Sequence, residues 1–185
     1  MLAPNREYAR LAGVIEPAPT WRALSRPALT LLILGAASAA GSTGRVDAAL
    51  VLSGTLCWSF VVAIQIAAAV VFIRSARPSD VDTRRALELL FLAHGPWSLW
   101  ILAVAAAAMA VPSIVSLNVI LAGALVPSAW TAALLVAFCR RVLNDDRRRA
   151  LRRTAGHLAV TWAFILGYLA VATQLWPRIL GRIVP

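Results

Sequence analysis

The stretch that decides the fold is Pro78–Trp100, P-S-D-V-D-T-R-R-A-L-E-L-L-F-L-A-H-G-P-W-S-L-W. It begins with polar and charged residues typical of a helix start and ends in an apolar run. This run contains a carboxylate, Glu88, and an imidazole, His94, followed by the helix-breaking pair Gly95-Pro96. An ionisable residue inside a membrane span is a default candidate for function. The stretch therefore predicts a kinked membrane helix that carries two candidate residues.

The composition of the whole chain favours a membrane protein. Of its 185 residues, 61% are hydrophobic and 14% are charged, and the mean hydropathy is +0.78. Soluble domains are typically about 45–50% apolar and about 25% charged. All 18 basic residues are arginine, and arginine together with abundant alanine favours a GC-rich bacterial genome. We therefore expect a multi-pass protein of a bacterial cytoplasmic (inner) membrane.

Five apolar runs predict an all-α bundle of five transmembrane helices. Each run is close to the 20 or so residues that a helix needs to cross a bilayer. A cytoplasmic or interfacial segment, in which prolines disfavour a long helix, comes before the helical membrane domain of residues 28–176, and a short external tail follows it. The segments are residues 1–27, the spans 28–44, 48–73, 86–111, 117–139 and 156–176, and the tail 177–185.

The arginines predict the orientation of the bundle. Four lie before the first span, four in residues 74–85 and seven in residues 140–153, which places fifteen on one side. The remaining three, Arg45, Arg178 and Arg182, fall on the other side. Positively charged loops stay in the cytoplasm. The rule therefore predicts a cytoplasmic N-terminus and an external C-terminus. Because membrane topology is the simplest explanation of the positive charge, we expect no nucleic-acid partner.

The first span carries small residues at helical spacing. Gly35 and Ala39 share one face, and Ala37 and Gly41 share another. Small residues allow helix backbones to approach closely in a membrane. We therefore expect this helix to pack against other helices of the chain or of a partner. Ala37-Ser38-Ala39 also resembles a signal-peptidase site, and we expect the span to be retained rather than cleaved.

Glu88 and His94 each have a local explanation. Arg84 and Arg85 lie four and three residues before Glu88 on the same helix face, which predicts an ion pair at the membrane surface. Pro96 cannot donate a hydrogen bond to the Leu92 carbonyl, so that oxygen is a candidate acceptor for His94. The two ionisable residues lie about 120° apart around the helix. We therefore expect His94 to be structural, and we keep a proton-relay or cofactor-binding role for it as the alternative.

The tryptophans form the second group of candidates. Trp58, Trp97, Trp100 and Trp130 fall near the predicted centre of the bilayer, away from the interfaces where tryptophan is usually enriched. Trp97 and Trp100 share one helix face. A buried aromatic cluster explains them, and a contact surface for a partner subunit, a lipid or a large hydrophobic cofactor is the alternative. No cofactor is predicted, although His94, Trp97 and Trp100 are weak candidates for binding one.

A third set of candidates is the arginine-rich connection between the fourth and fifth spans. Its exposed charges could contact anionic lipid or an acidic partner. Topology is the simpler explanation, and the lipid or partner platform is kept as an alternative. The residues concerned are Arg147, Arg148, Arg149, Arg152 and Arg153.

No motif of a known catalytic class is present. The sequence contains no phosphate-binding loop, no zinc-protease motif and no nucleophile elbow. The two cysteines, Cys57 and Cys139, lie inside predicted spans without metal-like spacing. We expect both to be buried, and we predict no catalytic residue and no metal site.

The order of the segments resembles the Yip1 family of small five-span membrane proteins. The matching features are an approach segment from Glu16-Pro17 to Leu24, a charged lead-in from Ser79 to Leu87, a mid-span Pro96, a Trp130-bearing span and Arg149-Ala150-Leu151 before the last span. The resemblance covers about residues 16–176. It implies an integral membrane protein without catalysis. The short first span and the pair Asp145-Asp146 depart from that pattern.

Two functions follow as hypotheses. The first is a non-enzymatic accessory or scaffold subunit, which works through contacts with membrane lipids, other membrane subunits or a second copy. The second is a small permease or proton-coupled carrier. Its path would run between the third span, kinked at Pro96, and the fourth span, broken at Pro127, and would reach His94.

Overall fold

The computed structural model describes residues 4–12, 19–76, 82–111 and 116–183, and all their regular structure is helical. This confirms the all-α prediction for the described residues. The helices are α1 (Pro4–Ala12), α2 (Thr20–Thr43), α3 (Ala48–Ala76), α4 (Thr83–Leu92), α5 (Gly95–Ala110), α6 (Leu117–Arg141) and α7 (Arg147–Ile183).

The buried core lies at one end of the bundle. It joins the start of α2 and the end of α3 to α4, the end of α6 and the start of α7, with Ala23, Ile73, Leu90, Phe138 and Ala150 among its members. Successive helices therefore place alternate ends at this core. Because the arginine-rich segments flank this core, we call it the arginine-rich end. In α5, which leads to the opposite end, Pro96 is the one buried residue.

Three described helices are long and apolar enough to cross a membrane, namely α2, α3 and α6 from Asn118 to Arg141. Helices α4 and α5 pass the same test together as one span bent by 40°. The fifth predicted span, residues 156–176, lies within α7, which is not among the candidates found in the described residues. The structure thus supports a membrane protein, and the count of five spans stays a prediction.

Helices α2 and α3 approach each other closely at a pair of glycines. A side-chain carbon added to Gly35 would overlap the Thr55 hydroxyl and would lie 2.7 Å from the Val51 carbonyl oxygen. One added to Gly54 would lie 2.8 Å from the Gly35 carbonyl oxygen. Ala39, one turn after Gly35, is also buried. The small-residue face predicted at Gly35 and Ala39 is therefore used inside the chain, and Gly35 is covered by α3.

The N-terminal segment is more ordered than its prolines predict. Helix α1 occupies residues 4–12, and its Tyr8 side chain is completely buried. Helix α2 begins at Thr20 and continues through Pro27, so the predicted boundary between residues 27 and 28 is not a helix boundary. Pro27 lies inside the helix, where it removes the backbone hydrogen bond to the Ala23 carbonyl without ending the helix. The predicted interfacial approach is therefore the first part of α2.

Two further boundaries differ from the sequence prediction. Pro127 does not break the fourth span, because α6 is continuous from Leu117 to Arg141. The connection predicted at residues 140–153 is short, because α7 already begins at Arg147. Five of its seven arginines therefore lie on the first turns of α7, and Arg140 and Arg141 lie on the last turn of α6.

Candidate functional site

An apolar groove of about 680 Å³ lies at the end of the bundle away from the core. It is bounded by the C-terminal part of α2, by α5, by the start of α6 and by one residue of α7. Small residues of α2, among them Ala37 and Gly41, form one wall. The lining contains no ionisable side chain. We call this cavity the tryptophan groove, because three tryptophans line it.

The three tryptophans come from two helices that are distant in sequence. Trp97 and Trp100 lie on α5, as their spacing predicted, and Trp162 comes from α7. The rings of Trp97 and Trp162 meet edge to face, with centroids 5.6 Å apart and planes at 64°. This is a favoured geometry for aromatic pairs. Trp162 was not among the predicted candidates. Its position six residues into the predicted span 156–176 could have indicated it, because the other candidate tryptophans also lie inside predicted spans.

The other predicted tryptophans lie elsewhere. Trp58 is half-buried on α3 and Trp130 is 40% exposed on α6, and neither lines the tryptophan groove. Trp100 also packs against α6, where the ring fills the space over Gly123 so closely that an added methyl group would overlap it. The four predicted tryptophans therefore do not form one cluster, and the groove is lined instead by Trp97, Trp100 and Trp162.

His94 lies at the break between α4 and α5. Its backbone N–H donates to the Phe91 carbonyl, and the N–H of Ala93 donates to the Leu90 carbonyl, so the last turn of α4 is tightened. The His94 Nδ1 lies 3.2 Å from the Leu90 oxygen. Leu92, the predicted acceptor, is therefore not the partner found. The reason is that Pro96 begins a new helix, where its missing N–H leaves no gap in the hydrogen bonding.

The only two histidines of the sequence face each other. The rings of His94 and His157 have centroids 6.0 Å apart and planes at 81°. Phe91 lies beside His94, and Phe72 lies 5.0 Å from His157. His157 is 6% exposed, and among the described residues it has these ring contacts and no hydrogen bond. The sequence did not predict this pairing, because the two residues are 63 positions apart.

Glu88 has the local partner that the sequence predicted. Its carboxylate lies 2.6 Å from Arg85 Nη1, and both side chains are largely buried. The other terminal nitrogen of Arg85 donates to the Leu11 carbonyl at 3.0 Å. Arg85 therefore joins α4 to the C-terminal turn of α1, which gives the ion pair a packing role.

At the arginine-rich start of α7, Arg153 contacts two neighbouring segments. The Nε of Arg153 lies 2.9 Å from the Asp145 carboxylate, and its terminal nitrogens contact the hydroxyl and carbonyl oxygens of Ser75 at 3.3 and 3.5 Å. Arg153 therefore connects the α6–α7 turn to the C-terminus of α3. The other candidates on this helix, Arg147, Arg148, Arg149 and Arg152, are exposed.

The two aspartates of the α6–α7 turn have opposite electrostatic environments. Burial raises the pKa of Asp145, opposed by the nearby guanidinium groups of Arg153 and Arg149. Asp146 is exposed, and it accepts the Arg149 N–H at 2.9 Å at the start of α7. That hydrogen bond lowers the pKa of Asp146. Asn144 turns the chain with a φ of 55°, in the left-handed region that asparagine tolerates. The pair that departed from the Yip1 pattern therefore organises this turn.

The two cysteines differ. Cys139 is buried, with its sulfur 3.9 Å from the Thr154 hydroxyl, whereas Cys57 is exposed. The prediction that both are buried is therefore wrong for Cys57, which lies on an outer face of α3. Within the described residues no group of three or more histidine, cysteine or acidic side chains could hold a metal ion.

The chain matches no family model, no curated protein and no solved structure. The resemblance to the Yip1 family therefore remains a prediction.

Proposed function

We propose that this protein is an integral membrane protein that works by contact, as an accessory or scaffold subunit without enzymatic activity. In this proposal the chain crosses a bacterial inner membrane five times, with the N-terminus in the cytoplasm and the C-terminus outside. The observation that carries the proposal is the tryptophan groove, an apolar cavity of about 680 Å³ at the end of the bundle away from the core.

The lining of the tryptophan groove favours a helix of a partner subunit as its occupant. Ala37 and Gly41 on α2 and Ala105 and Ala108 on α5 leave room for a backbone to approach closely. Tryptophan is among the residues enriched at the centres of protein interfaces. A membrane helix that presents apolar side chains would therefore bury itself between small residues and aromatic rings.

The carrier hypothesis predicts a path that reaches His94 between the third and fourth spans. The tryptophan groove lies between α5 and α6, which belong to those spans, but His94 does not line it. The groove offers no ionisable group to a polar substrate or a proton. We therefore prefer the contact function. A cysteine at position 94 that reacts with a water-soluble thiol reagent from either side would favour the carrier instead.

Purification in mild detergent tests the proposal, with Trp162→Ala and Trp130→Ala as a matched pair of variants. Both tryptophans are 40% exposed, and only Trp162 lines the groove. We expect the parent chain to co-purify with a membrane protein at fixed stoichiometry, and Trp162→Ala to lose that partner while Trp130→Ala keeps it. A monodisperse lone monomer, or equal loss in both variants, would contradict the proposal.

A further inference from the structure

A second cavity, of about 520 Å³, lies between α3 and α7 near the arginine-rich end. Its walls are apolar, and several wall residues face outward, since Val71, Val160 and Phe164 are 69%, 47% and 54% exposed. The cavity is therefore a groove on the outer surface of the bundle. We call it the α3–α7 groove, and it is separate from the tryptophan groove.

The α7 side of this groove changes in polarity along its length. Arg153, His157, Val160 and Phe164 all line it, at spacings of four, three and four residues that place them on one helix face. Arg153 lies nearest the start of the helix, and the others follow in order away from the arginine-rich end. Along this face a cation is followed by an imidazole and then by hydrocarbon side chains. The polarity of a phospholipid decreases in the same order, from its phosphate through its ester linkages to its acyl chains.

The α3 side runs in the opposite direction and agrees with this order. Ile64 and Ala68 line the apolar part, and Phe72 follows beside His157. Ser75, one turn further, contacts Arg153 at the polar end. Both helices therefore place their polar groups at the same end of the groove.

His157 supplies a second observation that indicates a ligand. Its side chain is 6% exposed, and it makes no hydrogen bond within the described residues. Because His157 lines the groove, a ligand there can supply the hydrogen bond that its ring lacks. His157 lies about 6 Å along the helix axis from Arg153, at about 1.5 Å per residue. An acyl ester carbonyl, which lies on the glycerol next to the phosphate of a phospholipid, would accept a hydrogen bond from the imidazole at that depth.

Arg153 can still bind an anion at the mouth of the groove. Its guanidinium has five N–H donors. The terminal nitrogens donate to the hydroxyl and carbonyl oxygens of Ser75, and Nε lies 2.9 Å from the Asp145 carboxylate as an ion pair without a hydrogen bond. Its side chain is 21% exposed, so the remaining donors can be reached. Arg149 and Arg152 lie exposed on the same two turns of α7. Two described carboxylates lie close to these arginines, Asp145 beside Arg153 and Arg149, and Asp146 beside Arg149 and Arg152. Three arginines against two aspartates leave the net charge at the mouth positive.

We infer that the α3–α7 groove binds an anionic glycerophospholipid, with its phosphate at Arg153, its ester linkage at His157 and an acyl chain along the apolar walls. This inference rests on the proposed placement of the protein in a membrane. It assigns a specific lipid site to a surface that the contact function does not use. Charge-assisted hydrogen bonds to the phosphate give the site its preference for anionic lipid.

Native mass spectrometry of the detergent-solubilised full chain tests the inference, with phosphatidylglycerol and phosphatidylcholine of identical acyl chains as probes. We expect one phosphatidylglycerol to remain bound per chain, in preference to phosphatidylcholine. Arg153→Gln should weaken its retention about tenfold, as expected for the loss of a hydrogen bond between charged groups. Arg148→Gln removes the same charge from an exposed position on the same helix that does not line the groove, and we expect less than a twofold effect.

Ala68→Trp provides a test that leaves the contacts of Arg153 intact. The indole fills the apolar part of the groove, so we expect phosphatidylglycerol retention to be lost while Cys139 stays protected from thiol reagents, as a check on folding. Equal retention of the two lipids, or retention unchanged by Ala68→Trp, would overturn the inference. Dimers that Ala68→Trp dissociates would overturn it too, because a second copy would then occupy the groove. A chain that stays soluble without detergent would instead refute the membrane placement itself.

Discussion

The hydroxyl of Tyr8 donates a hydrogen bond of 3.3 Å to the carbonyl oxygen of Leu89, 81 residues away. That oxygen needs a partner, because the Ala93 N–H that would reach it in a continuous helix donates to Leu90 instead. Tyr8 and the His94 ring therefore both satisfy carbonyls at the end of α4. A residue of the N-terminal segment, Tyr8, thus pairs with a carbonyl that the bend in the third predicted span deprives of its helical partner.

Tyr8→Phe should destabilise the fold by about 0.5–1.5 kcal/mol, because it removes one buried hydrogen bond and leaves the Leu89 carbonyl unpaired. Tyr8→Ala should cost more, about 3–5 kcal/mol, because it also leaves a cavity beside Phe138. Thermal unfolding in detergent measures both, followed by labelling of the buried Cys139 thiol in a Cys57→Ser background. Equal stability of the parent and Tyr8→Ala would show that α1 is not docked on α4.

Gly35→Ala should separate α2 from α3 and destabilise the fold by about 1–3 kcal/mol, since the added carbon meets the backbone of Val51 and Thr55, which cannot rotate away. Gly41→Ala on the same helix is the control, because an added carbon there meets nothing within 4 Å. We expect this control to be neutral or stabilising, as alanine is the better helix former. The same labelling of Cys139 measures both, and equal effects would argue against close packing at Gly35.

Gly123→Ala should displace the Trp100 ring, because the added methyl group overlaps it. The expected cost is about 1–3 kcal/mol, with a change in tryptophan fluorescence as the ring moves into the tryptophan groove. Gly167→Ala on α7 is the control, since the space around Gly167 is open. Fluorescence that is identical in the two variants would contradict the packing of Trp100 on α6.

The two aspartates of the α6–α7 turn should give pH dependences of opposite sign. The pKa of Asp146 is lowered from its ordinary value of 3.8 on folding, so its contribution to stability is present above pH 3.8 and is lost as the pH falls below it. The pKa of Asp145 is raised, so the folded state binds its proton more tightly and the contribution of Asp145 decreases as the pH rises above 3.8.

The measurement is the melting temperature in detergent from about pH 3 to pH 6, the range where carboxylates titrate. Asp145→Asn should make stability rise more steeply with pH, and Asp146→Asn should reduce or reverse that rise. Asn can replace Asp as a cap, so the second variant removes the titration without removing the hydrogen bond. Parallel curves for the two variants would contradict the opposite environments of these side chains.

The sequence by itself determined the features that depend on neighbours along the chain. Apolar runs of sufficient length predicted α2, α3 and α6 as candidate spans. The Gly95-Pro96 pair predicted the bend, and helical spacing predicted the Arg85–Glu88 pair. Each of these follows from residues within one or two helix turns, so local spacing and the loss of one N–H at proline are enough to predict them.

The tertiary structure decided which distant side chains meet. The pairing of His94 with His157, the joining of Trp162 to Trp97 and the burial of Tyr8 all depend on how antiparallel helices are placed around one core. Apolar helices show little periodicity of polarity, because lipid and core are both apolar, so their sequences do not indicate which face turns inward. Close packing at Gly35 and the contacts of Arg153 and Arg85 with other helices determine which face of each helix turns inward. These helix orientations in turn form the two grooves.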